Sequence, residues 1–363
     1  MPEGSEGVPA SFSFDVSPNS SPPTNVHALI GRNNVGKSHV LNCLAKLLIA
    51  AQADDLGVVN FADQPARTSR SGDFAGVVSV SFSAFDGFFL PEKEAANSTI
   101  KYSYVGLKKA PAVDPDPAQT GNAIPSIKNE AELELEFSSS LRVCLVGDRR
   151  QRLIDGFTCL GSDPIFDELG LIELLQLDEP HLQSELTDED RIATATQLFR
   201  RLSSGHRAVL LTITRLVEKV EERTLVLIDE PEAHLHPPLL SSLVRALSNL
   251  LTDQNGVAII ATHSPVVLQE VPRSCVSIMR RNGMVFHVEP PGFETFGESI
   301  GVLTREVFGL EVTLSGFHKL LLDAASECED LGQMREIFDG QLGSEAIAIL
   351  HTYFAHRTQV SGR

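Results

Sequence analysis

Short apolar runs and helical stripes alternate along the chain. Residues 25–30 read as a buried strand stopped by Gly31, and the next stretch, 37–50, places Val40, Leu41, Leu44, Leu47 and Leu48 at helical spacing. Residues 77–82, 99–105 and 133–137 each alternate apolar with polar and are predicted as strands. The opening 1–23 is rich in Ser, Pro and Gly, with one alternating run, Phe12-Ser13-Phe14-Asp15-Val16, predicted as an edge strand. Residues 150–200 are predicted helical. After Ser203-Ser204-Gly205 comes a helix carrying Val209, Leu210, Ile213, Leu216, Val217 and Val220; a strand at 225–228, a helix at 239–251, a strand at 257–261 and a helical tail at 298–357 follow. Continuous apolar strands alternating with helices predict a mainly parallel sheet covered on both faces.

The length of 363 residues allows about two domains, or one large domain with insertions. No apolar run approaches the ~20 residues of a membrane span, and the first residues lack the basic and apolar regions of a secretory signal. Five scattered cysteines without a CxxC pair read as reduced thiols, so a cytoplasmic protein is expected. The net charge of -18, from 48 acids against 30 bases, opposes non-specific adhesion to nucleic acid or anionic lipid. The excess is uneven: residues 162–190 hold 10 acids and no Lys or Arg.

Gly31-Arg32-Asn33-Asn34-Val35-Gly36-Lys37-Ser38 fits G-x-x-x-x-G-K-[ST] between a predicted strand and a predicted helix. Two glycines let the loop wrap so that backbone N–H groups point at phosphates. Lys37 can then reach the β- and γ-phosphates and the Ser38 hydroxyl can ligate Mg²⁺. Thr224-Leu225-Val226-Leu227-Ile228-Asp229-Glu230 is an apolar strand ending in two acids: Asp229 is the candidate Mg²⁺ carboxylate, and Glu230 the candidate group that polarises water. Ser203, Ser204 and Gly205 open a helix about 25 residues before that pair. Read alone, such a turn is more often a plain N-cap; its place ahead of the Asp-Glu pair favours a second anion cradle. His263 follows the strand at 257–261, where a γ-phosphate sensor would stand.

In this order the motifs resemble the ABC-type ATPases, and more narrowly their SMC/RecF-like branch. The runs Asp229-Glu230-Pro231-Glu232-Ala233-His234-Leu235-His236-Pro237 and Ala261-Thr262-His263-Ser264-Pro265 are similar to ATPases of the overcoming-lysogenization-defect and Septu-type antiphage groups. Glu294-Thr295-Phe296-Gly297-Glu298, leading to Val307-Phe308-Gly309, is similar to the stretch after the last core strand in Septu-like ATPases. The resemblance implies an α/β P-loop NTPase with an ABC-type head: a mainly parallel sheet, an antiparallel strand layer and a helical insertion. It implies an ATPase domain at 24–310 with an insertion at about 51–195 (loop 107–127, helical 150–200), a flexible 1–23 and a helical tail at 311–363. It further implies ATP and Mg²⁺, a homodimer or higher even oligomer sandwiching nucleotide, and roles for Lys37, Ser38, Asp229, Glu230, Ser204, Gly205 and His263. His206 stands where many relatives have Gln. The usual glutamine after the early strand is missing from Phe82-Ser83-Ala84-Phe85-Asp86, leaving Ser83 or Asp86 as substitutes, and Phe12 or Phe14 is the candidate for adenine stacking.

The pair His234 and His236 has no third ligand at metal-site spacing and is discounted as a metal site. Arg149-Arg150 with Arg152, Lys108-Lys109 and Arg280-Arg281 read as solvated clusters, the first being the candidate for DNA contact. With an ATP site and no second catalytic centre, the expected function is an ATPase that gates a separate nuclease subunit. Nucleic acid would be reached through the complex, in antiphage defence or DNA repair and without a membrane. The alternatives are the nucleotide-binding subunit of a membrane transporter and a non-hydrolysing ATP-dependent scaffold.

Overall fold

The structure is a computed structural model describing residues 11–49, 58–59, 74–81, 98, 100–109, 126–176, 186–282, 285–314 and 316–361. It divides into two compact units, one through Ile300 and one from Gly301 onward.

The first unit is built on one seven-stranded sheet. Its strands are β1 (Val26–Gly31), β2 (Gly76–Ser81), β3 (Lys101–Gly106), β4 (Thr224–Asp229), β5 (Val257–Thr262), β6 (Val276–Asn282) and β7 (Val285–Glu289), in the order β3-β2-β4-β5-β1-β6-β7. Every neighbouring pair is parallel except β6 and β7, so the antiparallel contribution is one pair at a sheet edge. β1, β2 and β4 are buried along their whole length, as expected for strands covered on both faces. On one face Leu29, Leu225, Leu227, Ile259, Ala261 and Met279 form a core with Leu41, Ala45, Leu48 and Ile49 of α1 (Lys37–Ile49). The alternate residues Ala28, Ile30, Val226, Ile228, Ala258 and Ile260, all buried, point to the other face.

The sheet brings four strand ends to one edge. Ser81 lies opposite Asp229, Asp229 opposite Ala261, and Ile30 opposite Thr262, so β1, β2, β4 and β5 end side by side. In an open parallel sheet this carboxyl edge is where ligands bind.

Two strand predictions are corrected. Residues 133–137 lie inside the helix α2 (Glu130–Cys144), entered through a capping box of Asn129 and Glu132. Leu133, Leu135 and Phe137 imitate a two-residue period, but the buried residues are Phe137, Ser140, Leu141 and Cys144 at helical spacing, and Leu135 is 67% exposed. Residues 12–16 form no strand. Phe12 and Phe14 instead stack on each other at 6.2 Å and pack on the core, with Phe14 meeting the His27 ring edge-on at 5.3 Å. His27 lies four residues before Gly31, roughly 13 Å along the strand. These half-buried rings pack together at the strand's start.

Helices α3 (Asp148–Leu160), α4 (Pro164–Glu168), α5 (Leu171–Leu175) and α6 (Asp188–Arg201) follow α2; then come α7 (Ser204–Lys219), α8 (Pro237–Asp253) and the short α9 (Pro265–Gln269). Phe137 of α2 stacks on Phe199 of α6 at 4.5 Å. Arg150, the centre of the candidate DNA-contacting cluster, is 8% exposed; it donates to Leu145 O, Leu175 O and Asp188. It closes the end of α5 instead of facing a nucleic acid.

The second unit is helical, with α10 (Ile300–Leu314), α11 (Gly316–Ser326), α12 (Leu331–Ile337) and α13 (Ser344–Ser361). Leu321, Ala325, Cys328, Met334, Ala346 and Leu350 form its core, and Arg357 donates to Cys328 O at 2.8 Å. Among the described residues no helix is long and apolar enough to cross a membrane.

Candidate active site

The phosphate loop follows from how tightly β1 sits in the sheet. A Cβ on Gly31 would lie 2.3 Å from the Met279 carbonyl oxygen on β6, so only glycine fits there. Asn34 and Gly36 take positive φ values of 62° and 105°, and the Val40 amide donates to Gly36 O to open α1. The turn therefore presents amides and the positive end of a helix to one place. That place is a cavity of about 520 Å³ lined by Asn33, Asn34, Gly36, Lys37, Ser38, Glu230 and His263. Gly31 and Arg32 contribute carbonyls to Lys37, and Val35 turns inward as a core residue.

Lys37 is buried, and its ammonium reaches Gly31 O (3.2 Å), Arg32 O (3.1 Å) and the His263 ring, 2.8 Å from Nε2 and 3.2 Å from Nδ1. Burial pulls its pKa down, and the charges of Glu230, Asp229 and Glu232 oppose that pull. His263 Nε2 is also 3.0 Å from Glu230 Oε1. The imidazole is thus held between an ammonium and a carboxylate. Glu230 holds a left-handed backbone, φ 47° and ψ 56°, with its amide on Ala261 O at 2.9 Å. That strained conformation turns its side chain away from the strand direction and into the cavity.

Ser38 donates to Asp229 Oδ1 at 3.0 Å, across 191 residues of sequence. A hydroxyl and a wholly buried carboxylate at the strand edge are the hard oxygen ligands that Mg²⁺ takes, and they adjoin the cavity where phosphates would lie. The donor set fits the ion.

The Ser-Gly turn lies elsewhere in the same unit. Ser203 N-caps α7, its hydroxyl 2.6 Å from His206 Nδ1. A Cβ on Gly205 would lie 2.5 Å from His234 O, so the turn is pressed against the segment after β4. Ser203, Ser204 and Gly205 are absent from the cavity lining. His206, the departure from the signature, is buried with Nε2 3.4 Å from Asp163 Oδ2; His236 Nε2 approaches the same oxygen at 3.3 Å. Asp163 Oδ1 accepts from the Ile165 amide at 2.9 Å. One buried carboxylate thus joins α4, the Ser-Gly turn and the segment after β4. Among the described residues no group of three His, Cys, Asp or Glu side chains could hold a metal ion. Ser83 and Asp86 lie outside the described residues; the strand before them ends at Ser81, opposite Asp229.

Sequence reasoning missed two carboxylates, Glu232 and Asp163. Glu232 accepts from Thr262 Oγ1 and from the His263 amide. Its only sequence signal is its place two residues after Glu230.

Residues 131–269 match the family described as "AAA domain, putative AbiEii toxin, Type IV TA system". The matched span includes the Ser-Gly turn, Asp229, Glu230 and His263, and begins after the phosphate loop. The chain is 42% identical over 367 residues to protein ea59 of Escherichia phage lambda, covering 95% of this chain and 66% of that protein's length. A solved structure described as an inward-facing conformation of a "putative metal-chelate type ABC transporter" is similar over 78% of both chains, with 14% identity and a TM-score of 0.32. The parallel sheet, the phosphate loop at its carboxyl edge and the family match together support an AAA-type P-loop ATPase domain in this chain.

Proposed function

We propose that the chain binds ATP with Mg²⁺ and hydrolyses it as an ABC-type switch of the SMC/RecF-like kind. The observation that carries this reading is the convergence of Lys37, the Ser38–Asp229 pair, Glu230 and His263 at the ends of β1, β4 and β5. Lys37 binds the β- and γ-phosphates. Ser38 and Asp229 hold Mg²⁺, which when bound neutralises phosphate charge and fixes its orientation. Glu230 accepts a proton from the attacking water as the new P–O bond forms; the bond to the bridging oxygen breaks and ADP leaves. His263 donates to the γ-phosphate oxygens, where charge accumulates.

Because Ser203, Ser204 and Gly205 stand apart from the cavity, the reading gives them to the nucleotide held by a second copy, in a head-to-tail dimer. ATP binding would close the dimer and hydrolysis reopen it, gating a DNA-acting partner such as a nuclease in antiphage defence or repair, in the cytoplasm. The net charge of -18 and the internal pairing of Arg150 and Arg280 support leaving nucleic acid to that partner. A Glu230→Gln variant should lower phosphate release by about 10²–10⁴-fold and accumulate as an ATP-bound dimer in light scattering. A variant that stays monomeric with ATP overturns the sandwich; a wild type that releases no phosphate overturns hydrolysis.

A further inference from the structure

Resting on that reading of the cavity, we propose that Glu232 is a positioning residue for hydrolysis, holding the end of β5 so that His263 meets Lys37 and Glu230. Glu232 lies in the single 3-10 turn Pro231–His234 that follows β4. Its Oε2 accepts from Thr262 Oγ1 at 2.9 Å and its Oε1 from the His263 backbone amide. Thr262 is wholly buried, and its hydroxyl oxygen also accepts from the Ser264 amide at 2.9 Å. Three consecutive residues at the exit of β5 are thereby tied to one carboxylate from the neighbouring strand's loop.

The chemistry of this knot calls for a carboxylate. Two donors converge on it, and an ionised carboxylate accepts both. Glutamine would turn an NH₂ toward one of the two donors, and aspartate is a methylene too short. Neither oxygen serves as the water-activating base, because both are engaged at β5 and Glu232 is not part of the cavity lining. What it controls is the backbone under His263, and so the position of an imidazole 2.8 Å from the Lys37 ammonium and 3.0 Å from Glu230. A misplacement of about 1 Å at such a site costs on the order of 100-fold in rate. Sequence position hides the arrangement, since Glu232 reaches partners 30 and 31 residues away.

The test uses the full chain. Steady-state phosphate release and calorimetric affinity for a hydrolysis-resistant ATP analogue are measured for wild type, Glu232→Ala, Glu232→Gln, His263→Ala and the Glu232→Ala/His263→Ala double variant. The expected result is a fall in kcat of about 10- to 100-fold for Glu232→Ala with analogue affinity kept within about threefold. Glu232→Gln should fall less, and the double variant should be no slower than His263→Ala alone. An additive double variant, an affinity loss that parallels the rate loss, or unchanged turnover in Glu232→Ala overturns the proposal. If Glu232→Ala does not fold, the Glu232→Gln rate and its non-additivity with His263→Ala decide the matter in the same way. A wild type no faster than Lys37→Ala overturns the hydrolysis reading itself, whereas normal wild-type turnover with an indifferent Glu232 overturns only the positioning role.

Discussion

His263 and His206 both face a carboxylate, yet their surroundings differ. The side chains of His263 and Glu230 are 25% and 34% exposed and line a cavity; those of His206 and Asp163 are 10% and 7% exposed and sealed between elements. Beside the first pair stands a lysine ammonium, and Glu230 holds a strained backbone that aims it outward. In the second, Asp163 divides its two oxygens among two imidazoles and a helix-capping amide. The same residue types thus line an open cavity where geometry leaves space for a ligand, and form a structural tie where the carboxylate's oxygens are engaged within the fold.

Removing the charge from the open cluster should produce the largest change. Lys37→Ala should weaken ATP binding on the order of 100-fold or more, as for a buried charge contact worth roughly 2–5 kcal/mol, read by calorimetry. Unchanged affinity would break the comparison by making the open cluster structural as well.

A third histidine sharpens it. His27 is buried in β1, and among the described residues its Nε2 has no hydrogen-bond partner; burial pushes its pKa down to about 4, with Asp15 pulling upward. Between about pH 6.5 and 4 the unfolded chain binds this proton and the native chain does not, so native stability should drop as the pH is lowered through this window, at up to ~1.4 kcal/mol per unit. His27→Leu should flatten that slope in denaturant titrations, and an equal slope in both proteins would count against a buried neutral imidazole.

The smallest effect is expected at the sealed cluster's border. Gly205→Ala places a methyl against His234 O and should cost about 1–3 kcal/mol of stability, measured by urea unfolding, with monomer affinity for the ATP analogue unchanged. Loss of that affinity would show that the two clusters are one site.

The comparison also marks what could be read from sequence alone. The β1–loop–α1 unit, β4 and β5 were legible because a fully buried parallel strand is a continuous apolar run and the loop's chemistry demands fixed spacing. Helix α2 was not, because Leu133, Leu135 and Phe137 follow strand periodicity while the helix buries only one of them. Strands β6 and β7 escaped notice because Arg280 and Glu289, paired across the edge, break the apolar run. In the candidate site, Lys37, Ser38, Asp229, Glu230 and His263 could be named from motif order. Asp163 could not, since it finds His206 across 43 residues and no spacing rule connects them.

The crowding at Gly31 bears on how decayed copies of such a chain should be recognised. Its hydrogen side chain is demanded by the neighbouring strand, 2.3 Å from the position a Cβ would take, whether or not a nucleotide ever arrives. Drift in a gene released from ATP use would therefore spare Gly31 and erode Lys37 first. Retention of the opening glycine testifies to an intact sheet, and the lysine six positions on is the letter to read for nucleotide use.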